Sequence, residues 1–201
     1  MNELYPVFLK VSEFNTLIVG GGEVGLEKLS FLLKSSPTAR VTIVAKEVRE
    51  EISDLARDRE VEIHEAAYDE KYLEGMQVVI AATDDLEVNL TVRREAKLRN
   101  ILVNVADNPQ YCDFYMGGIV TKGNLKIAIS TNGKSPTLAK RLRQFFEEFI
   151  PDNIDELLEN LDDYRKTLKG NFQEKVDQLN DLTKGILNKG CLLYTSDAAD
   201  D

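Results

Sequence analysis

Apolar positions in the first half of the chain alternate between two rhythms. Residues 16–19 (TLIV) are a short apolar run, and Leu26, Leu29, Leu32 and Leu33 then recur at helical spacing. Arg40 to Ala45 (RVTIVA) is β-branched and predicts a buried strand. The polar stretch 47–58 (EVREEISDLARD) predicts a helix, and 60–66 (EVEIHEA) alternates like an exposed or edge strand. Gln77 to Thr83 is a third apolar run, residues 87–100 fit a helix, and Ile101 to Ala106 is the next strand. This β-α-β-α order predicts a parallel sheet covered on both faces.

The rhythm then changes. Residues 114–131 (FYMGGIVTKGNLKIAIST) predict two strands around a Lys122-Gly123-Asn124 turn. From Ser135 onward every pattern is helical. Leu138, Leu142, Phe145, Phe146 and Phe149 form an apolar stripe that Pro151 stops. Ile154, Leu157, Leu158 and Leu161 form a second stripe, and Phe172, Val176, Leu179 and Leu182 a weaker third. The expected architecture is α/β: a Rossmann-type parallel sheet in 1–113, a β-hairpin dimerisation region in 114–150 and a small helical domain in 151–190. Residues 191–201 (CLLYTSDAADD) follow a helix stop at Lys189-Gly190, fit none of these patterns and read as a non-native tail.

Composition narrows the classes of function. A net charge of −10 argues against nucleic acid as a partner, because such binding depends on neutralising phosphates. No apolar run approaches the ~20 residues that cross a bilayer, and no leader is legible at the N-terminus. No membrane association is expected, and the cytoplasm is the expected location. Two cysteines, Cys112 and Cys191, suggest no disulfide framework. One histidine, His64, and no cysteine pair make a resident transition-metal site unexpected. His64 reads as a surface residue and Cys112 as a small buried one.

The chemistry starts at "NTLIVGGGEVGLEKLSFLL". Gly20, Gly22 and Gly25 make G-x-G-x-x-G between a strand and a helix. Such a turn serves a dinucleotide: a tight bend, a close backbone approach to pyrophosphate, and close helix–strand packing. The helix N-terminus at Glu23 and Val24 adds free N–H groups and partial positive charge. An acid at the second strand's tip usually grips the ribose. Here Ala45 stands at that point, so Glu47, or the backbone of Lys46 and Glu47, is the candidate. No arginine stands at the tip, which favours NAD, while Lys46 leaves NADP open. Asp84 and Asp85 follow the third strand at its ligand-binding end, where at least one reads as a helix cap, and Thr83 is the better cofactor contact.

Five segments in order carry a resemblance: YPVFLKV, VGGGEVGLEKLSFLL, VIAATDDLEVN, ILVNVADNPQYCDF and IAISTNGKSPTLAKRLR. Together, from about Leu4 to Pro151, the chain resembles the precorrin-2 dehydrogenase family, the N-terminal module of siroheme synthases. The resemblance implies a homodimer that uses NAD to oxidise the tetrapyrrole precorrin-2 to sirohydrochlorin. Some members also insert ferrous iron, taken as a substrate. The family's key acid falls at Asp107 in Asn104-Val105-Ala106-Asp107, at the carboxyl end of a predicted strand. A carboxylate there can accept the proton that leaves during the oxidation. The ordinary use of Asp-Asn-Pro is a turn, and that use stays open.

"STNGKSPTLAKRLR" ends like a phosphate loop, but the required first glycine is Ala128. Ser135 as N-cap and Pro136 at the first helical position explain it better. Thr131, Lys134, Ser135 and Arg141 are candidates for binding the anionic substrate. Lys140 and Arg143 read as a solvated helix face. A different class of function, an NAD-sensing Rossmann module without catalysis, explains the glycines but leaves Asp107 without a role.

Overall fold

The computed structural model describes residues 4–184; the readings made for Lys189-Gly190 and for 191–201 lie outside them. Five strands form one parallel sheet: β1 (Asn15–Val19), β2 (Arg40–Ala45), β3 (Val61–Glu65), β4 (Val78–Ala81) and β5 (Leu102–Val105). Their spatial order is β3-β2-β1-β4-β5, all parallel. The edge position of β3 accounts for its alternating composition. Helices α1 (Glu23–Ser35), α2 (Glu50–Ala56) and α3 (Leu86–Leu98) connect the strands, with a short 3-10 turn at Glu70–Leu73 before β4.

Alternation along β1 feeds two cores. Leu17 and Val19 join Val79, Val103 and the α3 residues Val92 and Ala96 on one face. Ile18 joins Ile43, Ile80, Leu29 and Leu33 of α1, and Ile52 of α2, on the other. Each of these residues is almost fully buried, and at about 25 cal/mol per Å² of apolar area this burial dominates the sheet's stability.

Two of the element bounds that depart from the sequence reading lie at the glycine loop and the β4 tip. α2 begins at Glu50, not at residue 47, because the chain first turns back to the glycine loop: Arg49 N–H donates to Gly21 O at 3.1 Å. β4 ends at Ala81, and Ala82-Thr83 already belongs to the turn that starts α3.

Beyond the sheet lie the hairpin β6 (Gly118–Lys122) and β7 (Leu125–Ile129), then α4 (Pro136–Phe149), α5 (Ile154–Thr167) and α6 (Phe172–Thr183). Gly123, with φ of +53°, takes the left-handed conformation that the two-residue hairpin turn requires. The described chain divides into two compact units, 4–121 with 127–147 and 122–126 with 148–184. Within the second, Asp155 Oδ1 accepts from the backbone and side-chain nitrogens of Asn124 at 2.7 and 2.8 Å. Lys122 Nζ pairs with Asp152 at 2.6 Å and donates to Ile150 O, and this cation holds the Asp152 carboxyl below its ordinary range. Asn171 and Glu174 form a capping box at the start of α6.

Candidate functional site

The carboxyl ends of four strands lie in register. Val19 sits opposite both Val44 and Ala81, and Ala81 opposite Val105. The next residues, Gly20, Ala45, Ala82 and Ala106, therefore begin one row of turns along a single sheet edge. Strand order reverses beside β1, which makes the edge between β1 and β4 the crevice where ligands bind in open α/β sheets.

The glycines of the first turn are needed for different reasons. Gly20 has φ of +125°, and a Cβ there would stand 2.3 Å from Ala82 O. Gly25 carries the helix–strand packing, since its Cβ would stand 2.2 Å from Gly20 O. Gly22 differs: a Cβ there would meet nothing within 4 Å. It therefore borders open space at the start of α1, and no side chain caps that helix. The N–H groups of Glu23, Val24 and Gly25 stand at an uncapped helix N-terminus, as an incoming pyrophosphate requires. The turn fits a dinucleotide.

Gly21, a variable position of the motif, is constrained as well. Its Cβ would stand 2.4 Å from Glu47 O and 2.9 Å from the Ala45 side chain. This contact brings the β2 tip against the turn. Lys46 and Glu47 are both exposed there, with no hydrogen bond from either side chain to a described residue. The expectation that no arginine reaches this tip is corrected. Arg49 arrives from the α2 start, with Nη1 2.7 Å from Glu23 Oε2 and Nη2 2.7 Å from Glu51 Oε1. The hydrogen bond to Glu51, reinforced by Glu23, raises the guanidinium above its ordinary value, and Arg49 lowers Glu51 in turn.

At the β4 tip, Thr83 is tied to Asn89, which is 3% exposed. Asn89 Oδ1 accepts from Thr83 N–H at 3.1 Å and from its hydroxyl at 2.7 Å, and Asn89 Nδ2 donates to Thr83 O at 2.9 Å. Asp85 caps α3 by accepting from Glu87 N–H at 2.9 Å and Val88 N–H at 3.4 Å. The Thr83 turn is thus rigid, and Asp85 serves the helix.

Asp107 follows β5 with φ of +58°. A left-handed aspartate is uncommon and persists where its surroundings over-determine it. The surroundings here are specific. The Cys112 thiol lies 3.2 Å from Val105 O and 3.4 Å from Asn108 O, and Val105 N–H donates to the sulfur at 3.2 Å. Asn104 Nδ2 donates to Phe114 O at 2.9 Å. Asp113 accepts from Val103 N–H at 3.0 Å and pairs with Lys97 of α3 at 2.8 Å. Arg93 of α3 donates to Tyr111 O at 3.0 Å and lies over the Tyr111 ring. The Asp107 side chain is exposed, and among the described residues nothing bonds to its carboxylate. Burial raises the Cys112 thiol above its ordinary value, so it acts as a neutral donor and not as a nucleophile.

In the 131–141 segment, Ser135 Oγ accepts from Leu138 N–H at 3.2 Å and caps α4. Thr131 Oγ1 accepts from Ser135 N–H at 3.2 Å and closes the turn, through left-handed Asn132 and Gly133. Arg141 donates to Gln144 at 3.0 Å, and Arg143 pairs with Glu147 at 2.6 Å. Lys134 N–H donates to Thr131 O at 3.1 Å, and its side chain is exposed, with no hydrogen bond or ion pair to a described residue. His64 lies on edge strand β3, 3.1 Å from Glu62 and 5.2 Å from the Tyr72 ring.

Comparison with known proteins agrees with this geometry. A family model described as "Putative NAD(P)-binding" matches residues 7–118, and one described as "Sirohaem biosynthesis protein central" matches 122–148. The chain belongs to the siroheme synthase N-terminal module family. The siroheme synthase of Pseudoalteromonas atlantica is 37% identical over 170 residues, 85% of this chain and 36% of that protein. The siroheme synthase of Methylobacillus flagellatus is 34% identical over 200 residues, 98% of this chain and 42% of that protein. The chain thus spans well under half the length of these curated relatives. A solved structure titled "SirC, precorrin-2 dehydrogenase" superposes with a TM-score of 0.70 at 25% identity, covering 89% of each chain.

Within this family fold, three residues of the site were not singled out by sequence reasoning: Gly21, Arg49 and Asn89. Gly21 had a signal, as the middle of three consecutive glycines. Asn89 looked like any polar helix residue, and only its burial reveals its part. Arg49 sat inside a stretch read as helix, so its approach to Glu23, 26 residues away, was invisible.

Proposed function

We propose that this protein oxidises precorrin-2 to sirohydrochlorin with NAD, using Asp107 as the proton acceptor. The observation that carries this reading is Asp107 itself: a left-handed residue on a stapled loop, with an exposed carboxylate that no described residue bonds. A group held in a strained conformation without a structural partner is available for chemistry.

The oxidation removes one hydride and one proton from the macrocycle. Bound NAD supplies the hydride acceptor. The glycine turn would hold its pyrophosphate on the N–H groups of Glu23, Val24 and Gly25, and the tip at Lys46 and Glu47 would receive its ribose. Thr83, locked by Asn89, walls the crevice on its β4 side. The Asp107 carboxylate takes the proton as the C–H bond breaks, a role worth about 10²–10⁴ in rate for a positioned base. Lys134 and Arg141 attract the substrate carboxylates, while Thr131 and Ser135 fix the turn that carries Lys134. The same carboxylate accepts pyrrole N–H protons when ferrous iron is the second substrate.

The protein works as a homodimer. Leu138, Leu142 and Phe145 of α4 are 52%, 36% and 54% exposed, and Tyr5, Val7 and Phe8 are exposed as well. So much exposed apolar surface calls for a partner, and a second copy presents the same α4 stripe.

The test mixes protein, NAD and enzymatically made precorrin-2 and follows sirohydrochlorin absorbance. Asp107→Asn keeps a residue that tolerates the left-handed backbone. It is expected to lower turnover about 10²-fold or more with NAD affinity retained. Full turnover in Asp107→Asn removes the aspartate from the mechanism; NAD binding with no turnover in the wild type favours a sensing module. Adding ferrous ion to sirohydrochlorin tests the second activity.

A further inference from the structure

Arg49 bridges the two turns that a dinucleotide would touch. Its N–H is bonded to Gly21 O at 3.1 Å, which tethers it to the glycine turn. Its side chain crosses to the start of α1, where Nη1 meets Glu23 Oε2 at 2.7 Å. Nη2 and Nε meet Glu51 Oε1 and Oε2 at 2.7 and 3.3 Å. The Nε/Nη2 edge is the one that grips a carboxylate or phosphate through two parallel bonds, and Glu51 already fills it.

The position of this arginine gives the pairing a consequence. In dinucleotide folds an arginine near the tip of the second strand accommodates the extra 2′-phosphate of NADP. Here the arginine is present with its gripping edge taken. The ionised side chains on this stretch and at the α1 start are Glu23, Glu47, Glu50 and Glu51 against Lys46 and Arg49, an excess of negative charge. An added phosphate dianion would meet that excess. As an exposed pair the bridge adds little to stability, so its effect is on what the guanidinium can bind.

We propose that the Glu51–Arg49–Glu23 clamp sets cofactor choice, withholding Arg49 from a 2′-phosphate so that the site takes NAD and rejects NADP. The proposal rests on the reading that the glycine turn holds the dinucleotide. Once Glu51 is removed, the same arginine becomes a phosphate ligand.

The test is fluorescence titration of the full chain with NADH and with NADPH, read as the ratio of their Kd values. The wild type is expected to favour NADH. Glu51→Ala, at an exposed position in the first turn of α2, is expected to improve NADPH binding relative to NADH about tenfold. Glu51→Ala/Arg49→Met is expected to lose that gain, because the gain requires the freed guanidinium. A ratio unmoved in Glu51→Ala, a gain that survives the loss of Arg49, or a wild type that prefers NADPH overturns the clamp. If the wild type binds NADH but the ratio does not move, the cofactor reading stands and the clamp alone falls. If it binds neither nucleotide, both fall.

Discussion

A Cβ on Gly25 would stand 2.2 Å from the carbonyl oxygen of Gly20, whereas a Cβ on Gly22, three residues earlier, would meet nothing within 4 Å. One glycine is required by packing, and the other borders the space left for a ligand. Gly25→Ala is expected to destabilise the sheet by about 1–3 kcal/mol, as overpacking does, and to lose NAD binding with it. Gly22→Ala, at an ordinary φ of −84°, is expected to hold its stability within about 0.5 kcal/mol. It should still bind NAD at least about tenfold more weakly, because the methyl occupies the pyrophosphate's approach. Urea unfolding and NADH titration separate the two outcomes.

Asn89→Leu fills a similar volume but abandons three hydrogen bonds to Thr83. Leaving the Thr83 N–H and carbonyl unpaired is expected to cost about 1–3 kcal/mol. Asp85→Ala, which removes only a helix cap, is expected to cost about 1 kcal/mol. Only the first should also weaken NADH binding, since Thr83 would no longer be held at the crevice.

Burial raises the Cys112 thiol, so the folded protein holds this proton more tightly than the unfolded chain does. The resulting stability is fully present below the ordinary thiol range of about 8.5 and is lost as pH rises through the folded value. Wild-type unfolding midpoints are expected to fall on this account between neutral pH and pH of about 10. Cys112→Ser retains a hydroxyl donor for Val105 O and removes the titration. Its midpoint should decline less steeply over the same window, and an identical slope would remove Cys112 from the pH dependence.

The α4 stripe predicts its own test. Wild-type protein in analytical ultracentrifugation is expected to sediment as a dimer. Phe145→Glu places a charge in the proposed interface, on a residue 54% exposed within one chain. It is expected to yield a folded monomer with unchanged far-UV circular dichroism. A monomeric wild type at micromolar concentration would leave the stripe without the partner argued for it.

The sequence by itself determined whatever depends on neighbours along the chain. The apolar run of β1, the 3.6-residue period of α1 and α3, the Gly123-Asn124 turn and the Ser135–Pro136 helix start are all set by local backbone and side-chain preferences, and the structure forms each of them. G-x-G-x-x-G was legible for the same reason, because its residues lie within one turn. Only the tertiary structure decided what depends on residues far apart in sequence. Parallel pairing brought Val19 beside Ala81, and Ala81 beside Val105, and so set Gly20, Thr83 and Asp107 along one edge. It delayed α2 to bring Arg49 onto Glu23, buried Asn89 under Thr83, and stapled the Asp107 loop with Cys112. Such contacts form when the core closes and non-local groups satisfy one another out of water, and no periodicity along the chain records them.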